Sequence, residues 1–165
     1  KFMHFSKLLD DYILEYFSTN NINLCIALKG KSSEEYNYYK NIFPKCDSIY
    51  KNNAPYNSYR LASQSTITLS FASSLILESI GAGNKSCFID TSNDDEYLRF
   101  DHPVRVQISN YKHFSDYINN FLRINVDEYF NTNKEIFTKY MNYNEEKLPQ
   151  DIIRNKIITY LNGYN

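Results

Sequence analysis

Ile67-Thr68-Leu69-Ser70-Phe71-Ala72-Ser73-Ser74-Leu75-Ile76-Leu77-Glu78-Ser79-Ile80-Gly81-Ala82-Gly83 decides the fold. The first five residues read as a strand, because Ile and Thr favour extended backbone and Leu69 and Phe71 are apolar. Ala72-Ser73-Ser74 breaks the strand. A short helix follows, carrying apolar Leu75, Ile76, Leu77 and Ile80. Gly81 and Gly83 are placed to end it, since glycine is common just past a helix terminus. Ser86-Cys87-Phe88-Ile89 then starts a second strand. Strand, serine turn, helix, strand is a βαβ unit, and ligands of such units collect at the carboxyl ends of the strands.

Working outward, residues 3–17 place Phe5, Leu8, Leu9, Tyr12, Ile13 and Tyr16 at helical spacing. Asn23-Leu24-Cys25-Ile26-Ala27-Leu28 is a near-continuous apolar run, as expected of a strand covered on both faces. Lys29-Gly30-Lys31 ends it, and Ser32 or Ser33 caps a helix that runs to Phe43 before Pro44. Glu34 and Glu35 fall in its first turn, where the helix dipole favours acids. Cys46 to Tyr50 suits a short strand, residues 51–55 a loop, and 58–63 a short helix. Asp90 to Glu96 reads as a loop at the carboxyl edge of the sheet, and Val104 to Ile108 as an edge strand. Helices are expected from His113 to Ile124 with a cap near Asn110, from Asp127 to Tyr143, and from Asp151 to Leu161. Alternating strands and helices define an α/β, Rossmann-like domain with a mainly parallel sheet, helices on both faces and extra C-terminal helices. All 165 residues are read as one domain.

Composition narrows the function. The formal net charge is −1, so no basic field attracts nucleic acid. No apolar run approaches the roughly 20 residues of a membrane span, and no signal peptide is visible. Cys25, Cys46 and Cys87 are an odd number at irregular spacing. They read as small buried residues of a chain in a reducing cytoplasm, not as a disulfide framework or zinc site. Asp94, Asp95 and Glu96 read as a solvated loop, since three successive side chains do not converge on one cation. His102 and His113 have no nucleophile partner, and no Walker loop, G-x-S-x-G or H-E-x-x-H occurs. The 16 tyrosines and 11 phenylalanines do not by themselves indicate a function, though many tyrosines would suit a contact surface.

Ser73 and Ser74 admit two roles: capping the helix, or holding an anion on the same N–H groups and hydroxyls. Glu78 lies four residues after Ser74. A capping box requires three, so Glu78 is not the cap partner. It shares a face with Ser74 one turn on, where it is either a solvated acid or an acceptor for vicinal hydroxyls.

The run from Ala72 to Asp90 resembles a segment in the C-terminal half of GT-B fold glycosyltransferases, most closely those of bacterial surface-polysaccharide synthesis. The shared pattern is a small residue, Ser-Ser/Thr, three apolar residues, Glu-Ala, two residues, Gly, then a strand. The resemblance implies that Ser73 and Ser74 bind the diphosphate of a nucleotide-sugar donor and Glu78 its ribose. Lys29 is a further candidate for the donor phosphate, since related capsule enzymes carry Lys/Arg-x-His-Pro there. Lys29 keeps the leading base, but the His-Pro is absent, and the alternative reading is a solvated lysine at a strand end. Ser79 stands where alanine is usual, and Ser70 where retaining enzymes often have a second Glu, so the stereochemical course is open.

On this resemblance the chain is a donor-binding domain of a glycosyltransferase, needing no metal or cofactor. Its expected partners are a nucleotide-diphosphate sugar, a glycan acceptor and an N-terminal half that supplies the acceptor site. The first residue is Lys1, which fits a fragment of a two-domain protein that alone turns over little. No catalytic residue is identified. The expected location is cytoplasmic, or peripheral at the inner membrane. The alternatives are a non-catalytic α/β interaction module and a sugar-nucleotide epimerase of related fold.

Overall fold

The computed structural model describes residues 2–30, 32–46, 48–51, 57–92, 104–141 and 159. The chain divides into two compact units, Lys1–Val126 and Asp127–Asn165. The first contains helix α1 (Phe2–Thr19), strand β1 (Ile26–Ala27), α2 (Ser33–Ile42), β2 (Ile49–Tyr50), α3 (Asn57–Gln64), β3 (Thr68–Ser70), α4 (Leu75–Gly81), β4 (Ser86–Asp90), β5 (Arg105–Gln107) and α5 (Tyr111–Arg123). α6 (Val126–Thr132) begins at the division, and α7 (Lys134–Met141) lies in the second unit.

The architecture is α/β with parallel strands, as the alternation of elements predicts. The strands form two small sheets, β1–β2 and β3–β4–β5. Every pairing is parallel: Ile26 faces Ile49, Thr68 faces Ser86, and Phe88 faces Arg105. All five residues of β4 are buried. Burial on alternating sides means that both faces of this central strand are covered, the arrangement that parallel sheets require. Ile76 and Ile80 of α4, Ile89 of β4, and Phe114 and Ile118 of α5 form the heart of this core. Each such side chain contributes roughly 1.5–3 kcal/mol through removal of apolar surface from water.

α1 lies against α5 through aromatic contacts. The Tyr16 ring meets Phe114 edge-on at 6.0 Å, Tyr12 lies 5.9 Å from Phe114, and the Tyr16 hydroxyl donates to Asn119 Oδ1 at 2.7 Å. α5 is capped as expected: Asn110 Oδ1 accepts from the His113 N–H at 2.9 Å. Its other end is held by Lys85, only 4% exposed, whose Nζ donates to the carbonyls of Phe121 at 2.8 Å and Ile124 at 2.6 Å. Carbonyls at a helix C-terminus carry the negative end of the dipole, so an ammonium suits them. Burial pulls the Lys85 pKa below the ordinary lysine value.

Several expectations change. The helix expected from Asp127 to Tyr143 is interrupted at Asn133, within the described part of that span. Asn133 Nδ2 donates to the Tyr129 carbonyl at 2.8 Å while its own carbonyl accepts from Ile136 and Phe137, so it closes α6 and opens α7. Within the second unit, Tyr129, Phe130 and Phe137 cluster with ring centroids 5.3–5.5 Å apart. Cys25 is exposed: along residues 23–28 exposed Asn23, Cys25 and Ala27 alternate with the more covered Leu24, Ile26 and Leu28, so this strand is covered on one face and not on both; Cys46 and Cys87 are buried, and all three are free thiols. Gly81 is the last residue of α4, and Gly83 alone of the two adopts positive φ, at 86°. The Gly83 N–H donates to Ile80 O at 2.9 Å and that of Asn84 to Ser79 O at 3.0 Å, the paired bonds of a Schellman ending. The expected loop at 51–55 lies outside the described residues except for Lys51. So does the expected final helix except for Thr159.

Candidate functional site

In a parallel sheet the carboxyl ends of all strands share one edge. For β3, β4 and β5 that edge comprises Phe71 to Ser74, Thr91-Ser92 and Ile108 to Asn110. β3 delivers Ser73 and Ser74 there. Ser73 Oγ accepts from the Leu75 N–H at 3.3 Å, so it is Ser73 that satisfies a donor of the first turn. Ser74 already has helical backbone angles, φ −55° and ψ −23°, and its exposed hydroxyl makes no capping hydrogen bond. The Glu78 N–H donates to the Ser74 carbonyl at 3.3 Å, which sets the two side chains one turn apart on one face. Glu78 is exposed, and its Oε2 accepts from the hydroxyl of Tyr59 on α3.

Ser79 replaces the alanine of the related pattern at a buried position. Its hydroxyl accepts from Ser86 Oγ at 2.8 Å, so the extra oxygen is partnered across the α4–β4 contact.

Lys29 occupies a different environment, after β1 in the other sheet. Its N–H donates to Glu35 Oε1 at 3.1 Å, and that of Gly30 to Glu35 Oε2 at 3.0 Å. Two adjacent N–H groups that could cradle a phosphate there already hold a carboxylate of the chain itself. The structure thus brings Ser73, Ser74 and Glu78 together on one βα turn and puts Lys29 on another.

Asp90 falls in the span expected as a loop. It is the last residue of β4 and is fully buried. Its Oδ1 accepts from the Ser92 N–H at 2.8 Å and hydroxyl at 2.6 Å; its Oδ2 accepts from Arg105 Nε at 2.8 Å and from the Arg105 guanidinium NH2. Burial alone would raise the Asp90 pKa, but the Ser92 hydrogen bonds and the Arg105 charge outweigh it and hold the carboxyl below the usual range. It pins the carboxyl edge between β4 and β5. The signal for it in the sequence is the acid directly after an apolar strand, with a basic residue in the next strand.

Asp94 to Glu96 and His102 lie outside the described residues. Among the described residues no His, Cys, Asp or Glu cluster could hold a metal ion, and no helix is long and apolar enough to cross a membrane.

Parallel strands whose βα turns present hydroxyls and a carboxylate at the carboxyl edge define an α/β protein of Rossmann-like build. A family model described as "putative O-antigen biosynthesis protein" matches residues 1–109, so the chain belongs to that family. The description points to surface-polysaccharide biosynthesis, and the match includes Lys29, Ser73, Ser74 and Glu78. No curated protein matches the chain, and no solved structure does.

Proposed function

We propose that this chain binds a nucleotide-diphosphate sugar as the donor-binding part of a GT-B glycosyltransferase in surface-glycan synthesis. The observation that carries this reading is the β3–α4 turn, where the Ser74 hydroxyl is left out of the cap and Glu78 stands exposed on the same face. In this reading Ser73 and Ser74 face the donor diphosphate and Glu78 accepts from the ribose hydroxyls. Lys29 contributes through its exposed side chain, because its N–H is engaged by Glu35. Positive groups beside a departing diphosphate lower the barrier to sugar transfer. The glycan acceptor and the catalytic base would belong to a second, N-terminal Rossmann-like half. Family membership in O-antigen biosynthesis supports the choice of a glycan over other end products.

Titration calorimetry with UDP, GDP, ADP and CDP tests the reading. At least one should bind, and Glu78→Ala and Ser74→Ala should each weaken it roughly tenfold, the size of a lost charge-assisted hydrogen bond. Absence of binding, or binding indifferent to both substitutions, rejects it.

A second reading has its own observation. Tyr38, Tyr50 and Tyr59 are 39%, 37% and 44% exposed, and surface tyrosines suit a protein contact. A stable oligomer without nucleotide affinity would favour a non-catalytic interaction module. Conversion of the donor without acceptor would instead indicate an epimerase.

A further inference from the structure

Glu78 does not stand alone. Tyr59 comes from α3, nineteen residues earlier in the chain, and its hydroxyl donates to Glu78 Oε2. Both residues are exposed, and Tyr59 keeps 44% of its surface in solvent. A hydrogen bond between two exposed side chains adds little to fold stability. It does fix a long side chain that would otherwise sample several rotamers.

An ionised carboxylate has about four acceptor positions, two on each oxygen. The phenol uses one on Oε2. Among the described residues nothing donates to Oε1. The remaining acceptor positions suit a pair of adjacent hydroxyls, each donating to the same carboxylate. Glu78 also lies one helical turn, about 5.4 Å, from Ser74.

We propose that Tyr59 is a positioning residue: it holds the Glu78 carboxylate in the orientation that receives the ribose 2′- and 3′-hydroxyls of the nucleotide. This rests on the donor-binding reading above and adds to it the source of ribose selectivity. Pre-ordering Glu78 removes an entropic cost from binding, so the gain falls only on ligands that possess the diol.

The experiment compares UDP, GDP, ADP and CDP with their 2′,3′-dideoxy forms on the wild-type chain, Tyr59→Phe, Glu78→Ala and the control Tyr50→Phe. The wild type should prefer the ribose form about tenfold, and Glu78→Ala should abolish the preference. Tyr59→Phe should reduce it at least threefold while leaving dideoxy affinity and the melting temperature unchanged, and Tyr50→Phe should keep it. A Tyr59→Phe chain with undiminished preference, or with both ligand forms weakened equally, overturns the positioning role while donor binding stands. A wild type that binds the nucleotides without preferring ribose overturns it likewise. A wild type that binds none of the nucleotides overturns the donor-binding reading and this role with it.

Discussion

Two turns of this chain are written in nearly the same letters and end in opposite states. After β1, Ser32 caps α2, its hydroxyl accepting from the Glu34 N–H at 3.1 Å, and Glu35 fills the Lys29 and Gly30 N–H groups. After β3, Ser73 satisfies one donor, while Ser74 and the Oε1 of Glu78 are left to solvent. The difference is where the acid falls. Glu35 is three residues after Ser32, the serine whose hydroxyl caps α2, and folds back over the strand end; Glu78 is five after Ser73, the serine whose hydroxyl meets the first turn of α4. Two residues of spacing separate a turn that uses its polar groups on the fold from one whose acid lies further along the helix.

On this contrast, substitutions on the α2 side change stability and those on the α4 side do not. The largest effect is expected at Asp10, on α1, whose buried carboxyl accepts from the Tyr38 hydroxyl of α2 at 3.0 Å. Burial, reinforced by Asp11 and opposed by the Tyr38 hydrogen bond and Lys7, raises its pKa from 3.8 to about 6. The folded chain therefore holds this proton over a range in which the unfolded chain has lost it. The contribution of Asp10 is fully present below about pH 4 and is lost as pH rises through 6. Asp10→Asn keeps the acceptor and removes the charge. It should raise stability at pH 7 by up to about 3 kcal/mol and change it little at pH 4, as read from denaturant melts at the two pH values.

Glu35→Ala comes next. It strips the acceptor from the exposed Lys29 N–H and the partly covered Gly30 N–H and should cost about 2 kcal/mol in the same melts. Ser32→Ala removes an N-cap and should cost about 1 kcal/mol. Ser74→Ala and Glu78→Ala should stay within about 0.5 kcal/mol of the wild type, since neither side chain supports a buried contact. A loss at Ser74 as large as that at Ser32 would erase the distinction between the turns.

Most of the α/β order was legible, because helical and strand periodicities record which residues face the core. Phe43 and Pro44 ended α2 where expected, and Asn110 capped α5. The candidate site was legible as a local spacing, Ser73, Ser74 and Glu78. What the sequence hides is contact across distance. Nothing local distinguishes Tyr59 from the other tyrosines, and its meeting with Glu78 exists only once α3 packs on α4. The same holds for Lys85, which reads as a polar turn residue until the end of α5 arrives over it. Asn133 misled in the other direction. The surrounding pattern is helical, but an asparagine side chain can take the Tyr129 carbonyl and stop a helix locally.

The Lys85 contact also bears on how the gene can be cut. The family match ends at residue 109, an obvious place to trim the chain for expression or for grafting onto another enzyme. Such a cut would discard α5 and with it the carbonyls of Phe121 and Ile124 that receive the ammonium. It would also take away Phe114 and Asn119, on which α1 rests. A lysine placed in the interior would lose its acceptors, a far larger penalty than an exposed stump. A swap or deletion boundary is better placed after Arg123 and Ile124, so that the matched segment travels with the helix that closes it.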